Sequence, residues 1–233
     1  MSRPAANSLA RTERTLPKSL NNPDRKDGNP LDGPHAGAPP ARLMEAGEPV
    51  YVLIGRLLGG EGATAQLQLS PGRIHEFDSD FAPMFRFFQT ARTRRQATDW
   101  LRWAGAPEGA LGDLVDSGLL VEVDTSNPLT AAASLEGVRI IPQSFRDETA
   151  PDVPSLCGVR KSERSPVDAF IPTELARLMW DIEEPADIPT GIDDIAMQSD
   201  KPLELIARRV LTNLPVMLTL GLARLEWVNA SAA

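Results

Sequence analysis

Residues 66–88 read QLQLSPGRIHEFDSDFAPMFRFF, and the fold turns on how this stretch is divided. Leu67 and Leu69 alternate with glutamines, the period of a half-buried strand. Pro71-Gly72 is a turn signal. Arg73 to Phe77 alternates again, with Ile74 apolar on one phase and Phe77 closing the strand. Asp78, Ser79 and Asp80 then offer helix N-caps, and Pro83 fits a first helical turn. Phe81, Met84, Phe85 and Phe88 fall at i, i+3, i+4 and i+7, one face of a helix.

Upstream, VYVLIG (50–55) predicts a short apolar strand, and LLGGEGA (57–63) a hairpin connection. The latter lacks both the Lys-Ser/Thr of a phosphate loop and G-x-G-x-x-G spacing. Downstream, TRRQ (93–96) fits a capping box, with Thr93 bonding forward and Gln96 back. Ala97, Trp100, Leu101 and Ala104 form the apolar stripe of that second helix. A third, with Leu111, Leu114 and Val115 apolar, stops at Gly118, and LLVEVD (119–124) closes as a strand. Three strands, three helices and a strand predict a winged helix-turn-helix unit over 44–124.

A second such unit is predicted over 138–229, so the fold class is α+β, two winged-helix-like units in tandem. VRIIP (138–142) and VDAFI (167–171) read as strands around a proline- and charge-rich excursion. Helices follow at 172–182, 191–199 and 202–214, where Pro215 kinks or ends the last. LGLARLEWV (220–228) closes the unit as SGLLVEV (117–123) closes the first. Residues 125–137 read as a linker, and 1–43, with seven prolines and no hydrophobic period, as a disordered tail.

Charge is uneven. Residues 1–43 carry seven basic and four acidic side chains, 44–124 seven and twelve, and 125–233 ten and sixteen. Both folded portions are acidic, which counts against nucleic-acid binding, because phosphate neutralisation supplies most non-specific affinity. The single cysteine excludes an internal disulfide framework and fits a reducing cytoplasm. The sequence contains no apolar stretch of membrane-spanning length and no secretory signal.

The residue types for chemistry are scattered. Two histidines, His35 in the tail and His75 in a strand, have no metal-site spacing. Cys157 is read as a loop residue beside Arg160 and Lys161 with no histidine close in sequence to activate it. The acidic run from Asp181 to Asp194 lacks calcium-loop spacing and reads as a solvated face. No catalytic residue, metal site or cofactor is therefore predicted.

Residues 63–124 resemble the PqqD-like family, which includes the recognition elements that bind leader peptides of ribosomally made natural products. The likeness rests on LQLSPGRIHEFDSDFAPMF, on RTRRQATDWL as second helix and on ALGDLVDSGLLVEV as third helix and closing segment. It departs in the second unit, which the family pattern lacks. The resemblance implies a non-catalytic subunit that takes a precursor's leader as an added strand and delivers it to a separate modifying enzyme. As a free-standing two-unit protein the chain is most similar to partner proteins of multinuclear non-haem iron oxygenases. Carried onto this sequence, the receiving edge is Arg73, Ile74, His75, Glu76 and Phe77, and the groove wall is Leu111, Leu114 and Val115. Arg92, Arg94 and Arg95 crowd the start of the second helix, where the macrodipole is already positive, so an acidic leader would relieve them. The competing expectation is a tandem winged-helix transcriptional regulator, with Arg208-Arg209 and Arg92 to Arg95 facing DNA.

Overall fold

The computed structural model describes residues 48–58, 64–124, 126–147, 153–182 and 186–228. The expectations for the 1–43 tail, for His35 and for most of the 57–63 connection lie outside them. In the first half the chain runs through β1 (Val50–Leu53), β2 (Arg56–Leu58), β3 (Thr64–Ser70) and β4 (Arg73–Asp78). A 3-10 turn leads into α1 (Ala82–Phe88), followed by β5 (Arg92–Thr93), α2 (Arg94–Trp103), α3 (Ala110–Asp116) and β6 (Leu120–Val123). The second half holds α4 (Pro128–Ala133), β7 (Val138–Pro142), β8 (Phe145–Asp147), β9 (Leu156–Arg160) and β10 (Ala169–Pro172). It ends with α5 (Thr173–Trp180), α6 (Ile188–Ser199), α7 (Leu203–Thr219) and β11 (Ala223–Trp227).

The fold is mixed α+β with small antiparallel sheets, ordered β5-β1-β6, β2-β3-β4, β10-β9-β8 and β11-β7. Pairings recur between the halves: β7 takes β11 as β1 takes β6, and β8-β9-β10 repeats the succession β2-β3-β4 before three helices. No helix among the described residues is long and apolar enough to cross a membrane.

Two hydrophobic cores meet at β1. Every residue of VYVL is buried, and alternate side chains point to opposite faces of a strand. Tyr51 and Leu53 join the core made by α1, α2, α3 and the inner face of β3. Val50, Val52 and Ile54 join the other core, with Val121, Val123 and the apolar faces of α4 to α7. The sheet β5-β1-β6 is thus a wall between the cores. Burying each such side chain contributes about 1.5–3 kcal/mol.

Further bonds tie the halves. The Gly55 amide donates to the Leu225 carbonyl at 2.7 Å, and the Trp227 indole N–H to the Gly118 carbonyl at 3.1 Å. Gly55 has φ of 103°, and a Cβ there would lie 2.4 Å from the Gln68 carbonyl oxygen, so only glycine lets β1 pass β3 this closely.

The segment expected as a linker holds α4. Asn127 caps α4, accepting from the Thr130 amide at 3.2 Å, and Ala131, Ala132 and Leu135 are buried in the second core. Its small apolar side chains give little periodicity, which is why the helix is hard to read. The excursion between 142 and 167 holds β8 and β9, and Cys157 lies buried in β9 with its thiol against the Gly158 carbonyl, not in a loop. Asp187 starts α6 earlier than expected by accepting from the Thr190 amide at 3.0 Å. Pro215 neither ends α7 nor stops burial beyond it, because Met217 and Leu218 anchor the last turn in the core.

Three carboxylates are buried with arginine partners. Asp147 meets Arg160, and Glu226 meets Arg139 at 3.3 Å and Arg224 at 2.6 Å. Glu174, 2% exposed in the first turn of α5, accepts from Lys201 Nζ at 2.9 Å and Arg209 Nη1 at 2.5 Å, which fixes α5 to α7. Burial opposes ionisation of Glu174, but hydrogen bonds led by Lys201 and joined by Arg209 outweigh it and hold its carboxyl below the ordinary range. Its stabilising contribution is complete above the unfolded value of about 4.3 and is lost as pH falls through the lower folded value. Glu174→Gln is expected to cost about 1–3 kcal/mol at neutral pH and to flatten the acid limb. Chemical denaturation at several pH values between neutrality and acid measures both.

Candidate peptide-binding site

The strand β4 follows a tight turn in which Gly72 takes φ of 78°. Its register sets Ala65 against Phe77, Leu67 against His75 and Gln68 against Ile74, with an irregularity between Gln68 and Ser70. Residues opposite one another share a face. Phe77 therefore joins Ala65 and Leu67 in the core, where it meets Phe85 edge-on at 4.6 Å. His75 lies on that same phase, half-buried. Ile74 and Glu76 project from the outer face, where Glu76 accepts from Gln66 at 2.9 Å. Ile74 is 51% exposed, Arg73 is exposed, and β4 is one of the two marginal strands of its sheet.

Helix α3 begins at Gly109, whose φ of 94° suits an N-cap lacking a side-chain bond. Leu114 is fully buried, so it supports the helix from beneath and presents no surface. Leu111 and Val115 are half-buried and line a depression of about 370 Å³ with Tyr51, Arg94 and Glu122. No residue of β4 lines it. The structure thus brings the β4 residues into one set and the α3 residues into another, with Phe77 and Leu114 withdrawn into the core.

The three arginines separate. Arg92 donates through Nε to the Phe87 carbonyl at 2.9 Å and lies 4.4 Å over the Phe87 ring, and burial lowers its pKa. Its role is to hold the end of α1. Arg94 donates through Nε to the Tyr51 hydroxyl at 3.0 Å and reaches Glu122 at 3.9 Å. Arg95 is exposed and pairs with Asp99 at 3.8 Å. The capping box forms as predicted, Thr93 Oγ1 accepting from the Gln96 amide at 3.3 Å and Gln96 Oε1 accepting from the Thr93 amide at 3.1 Å. Each arginine has a partner within the chain, and Arg94 and Arg95 remain exposed.

Tyr51 and Glu122 are the site residues that the sequence reading passes over. The signal was present: a tyrosine inside a fully apolar strand needs a partner for its hydroxyl. Of the other candidates, Arg208 pairs with Glu204 at 2.8 Å and Arg209 with Glu174. Trp103, beside Trp100 at 6.3 Å, is 39% exposed. No group of three or more metal-ligating side chains sits together among the described residues. No protein-family model matches the chain, and no match was found among curated proteins or solved structures.

Burial, the largest influence, raises the Tyr51 pKa above 10.0, against the lowering effect of Arg94. The chain has one tyrosine, so phenolate absorbance reports Tyr51 alone. Its titration midpoint in the folded protein should lie above 10.0, and Arg94→Met should move it higher still. Spectrophotometric titration of both proteins measures these midpoints.

Proposed function

We propose that this chain is a non-catalytic recognition subunit that binds the leader of a ribosomally synthesised precursor peptide by strand addition. In this reading each half is a winged helix-turn-helix unit. The first captures the leader along β4, and the second holds a separate modifying enzyme, an iron-dependent oxygenase of the multinuclear non-haem kind. The whole assembly acts in the cytoplasm.

One observation carries the proposal: β4 stands at the margin of its sheet with Ile74 half-exposed on the outer face. An exposed sheet margin invites pairing with another chain, and proteins usually cover it or blunt it with charge. Strand addition uses the backbone for affinity and alternate side-chain contacts for specificity. Ile74 supplies an apolar contact on the outer face, flanked by Arg73 and Glu76. The regulator reading has less behind it, because Arg208 and Arg209 are paired within the chain and α3 carries Asp113 and Asp116, with Glu108 just before it and no basic residue.

The test adds the precursor peptide encoded beside the gene to isotope-labelled protein. Amide signals of Arg73 to Asp78 should shift more than those of β1 or β11. Ile74→Asp should weaken binding about tenfold or more, about 1.4 kcal/mol, while changing stability by no more than about 0.5 kcal/mol, as for other surface positions. Unmoved β4 amides, or full affinity in the Ile74→Asp protein, would count against strand addition.

A further inference from the structure

A second depression, of about 420 Å³, lies at the α2–α3 junction and is lined by Arg102, Pro107 and Glu108 among others. It shares Thr98 and Leu111 with the depression beside Tyr51, so the two form one trough along α2 and α3. We infer that this trough is a docking surface for a segment of a partner protein in which an aliphatic side chain is flanked by lysine or arginine. The inference stands apart from strand addition, since none of the trough's lining residues belongs to β4.

The sign of the occupant follows from the charges along the trough. Arg94 reaches Glu122 and the Tyr51 hydroxyl, and Arg102 meets Asp99 at 3.4 Å, a carboxylate that it shares with Arg95. Asp116 and Glu108, one in each depression, have no ion pair among the described residues. The lining carries three carboxylates, Glu108, Asp116 and Glu122, against two guanidinium groups, Arg94 and Arg102, a balance of one negative charge that favours a basic segment. Exposed ion pairs contribute little strength, so they select the partner's sign, and apolar contact with Leu111 and Val115 supplies the anchor.

An independent observation points the same way. Gly112 lies inside α3, in the trough wall, where glycine destabilises a helix relative to alanine. A Cβ placed there would meet nothing within 4 Å. Its φ is not in the left-handed region, so neither backbone shape nor packing within the chain calls for glycine. An occupant lying close against the helix backbone does.

The experiment pans a displayed random heptapeptide library against the full chain, with the Gly112→Trp protein as counter-target. Selected peptides should carry an aliphatic residue flanked by lysine or arginine. They should bind the Gly112→Trp protein and the Glu108→Lys/Asp116→Lys protein at least about tenfold more weakly than the parent. Gly112→Ala provides the folding control: its melting temperature should rise by about 1–4 °C while its affinity for the same peptides falls. Recovery of acidic peptides, recovery of none that discriminates against Gly112→Trp, or unchanged affinity in the Gly112→Ala protein would each overturn the inference.

Discussion

A four-residue strand with no exposed face organises the molecule. β1 gives Tyr51 and Leu53 to one core and Val50 and Val52 to the other, so neither core closes without it. Such a strand forms when both faces are covered, as in the interior of layered folds. The closing strand of the second half reaches it through the Ile54–Leu225 bridge and the Gly55 amide. The two halves repeat one order of pairing, yet they share the sheet of the first as a common wall.

That sharing decides which surfaces are left for partners. Beside the β5-β1-β6 wall, the two small meanders, β2-β3-β4 and β8-β9-β10, each end in a marginal strand. β4 exposes Ile74, and β10 exposes Phe170 opposite Gly158 at the corresponding place. The helices α2 and α3 cover the first core from the other side and leave the trough between them. Strand margin and trough are therefore separate surfaces on one unit, able to be occupied at the same time.

Much of the first half was legible because its local signals agree. Alternation in 66–77, the Pro71-Gly72 turn, the acidic cap and the Thr93–Gln96 box all reappear in the structure. The second half was less legible where burial overrides composition. β8 and β9 hide among prolines and charges because Asp147 is neutralised by Arg160 and becomes a buried residue. α4 hides because alanines give a helix little stripe, and its burial comes from packing on α7. Among the site residues, apolar character singled out Phe77 and Leu114 but could not say that they face inward. The arginines looked like one patch in sequence, yet the start of a helix sends Arg92, Arg94 and Arg95 to three different partners.

Hydrogen exchange under native conditions tests the shared wall most directly. If β1 closes both cores, amides of β1, β6, β7 and β11 exchange only through global unfolding and share one free energy, equal to that from denaturant unfolding. Exchange of β7 and β11 at a clearly lower free energy than β1 and β6 would mean that the second half opens alone, and the wall would not be common to the two cores.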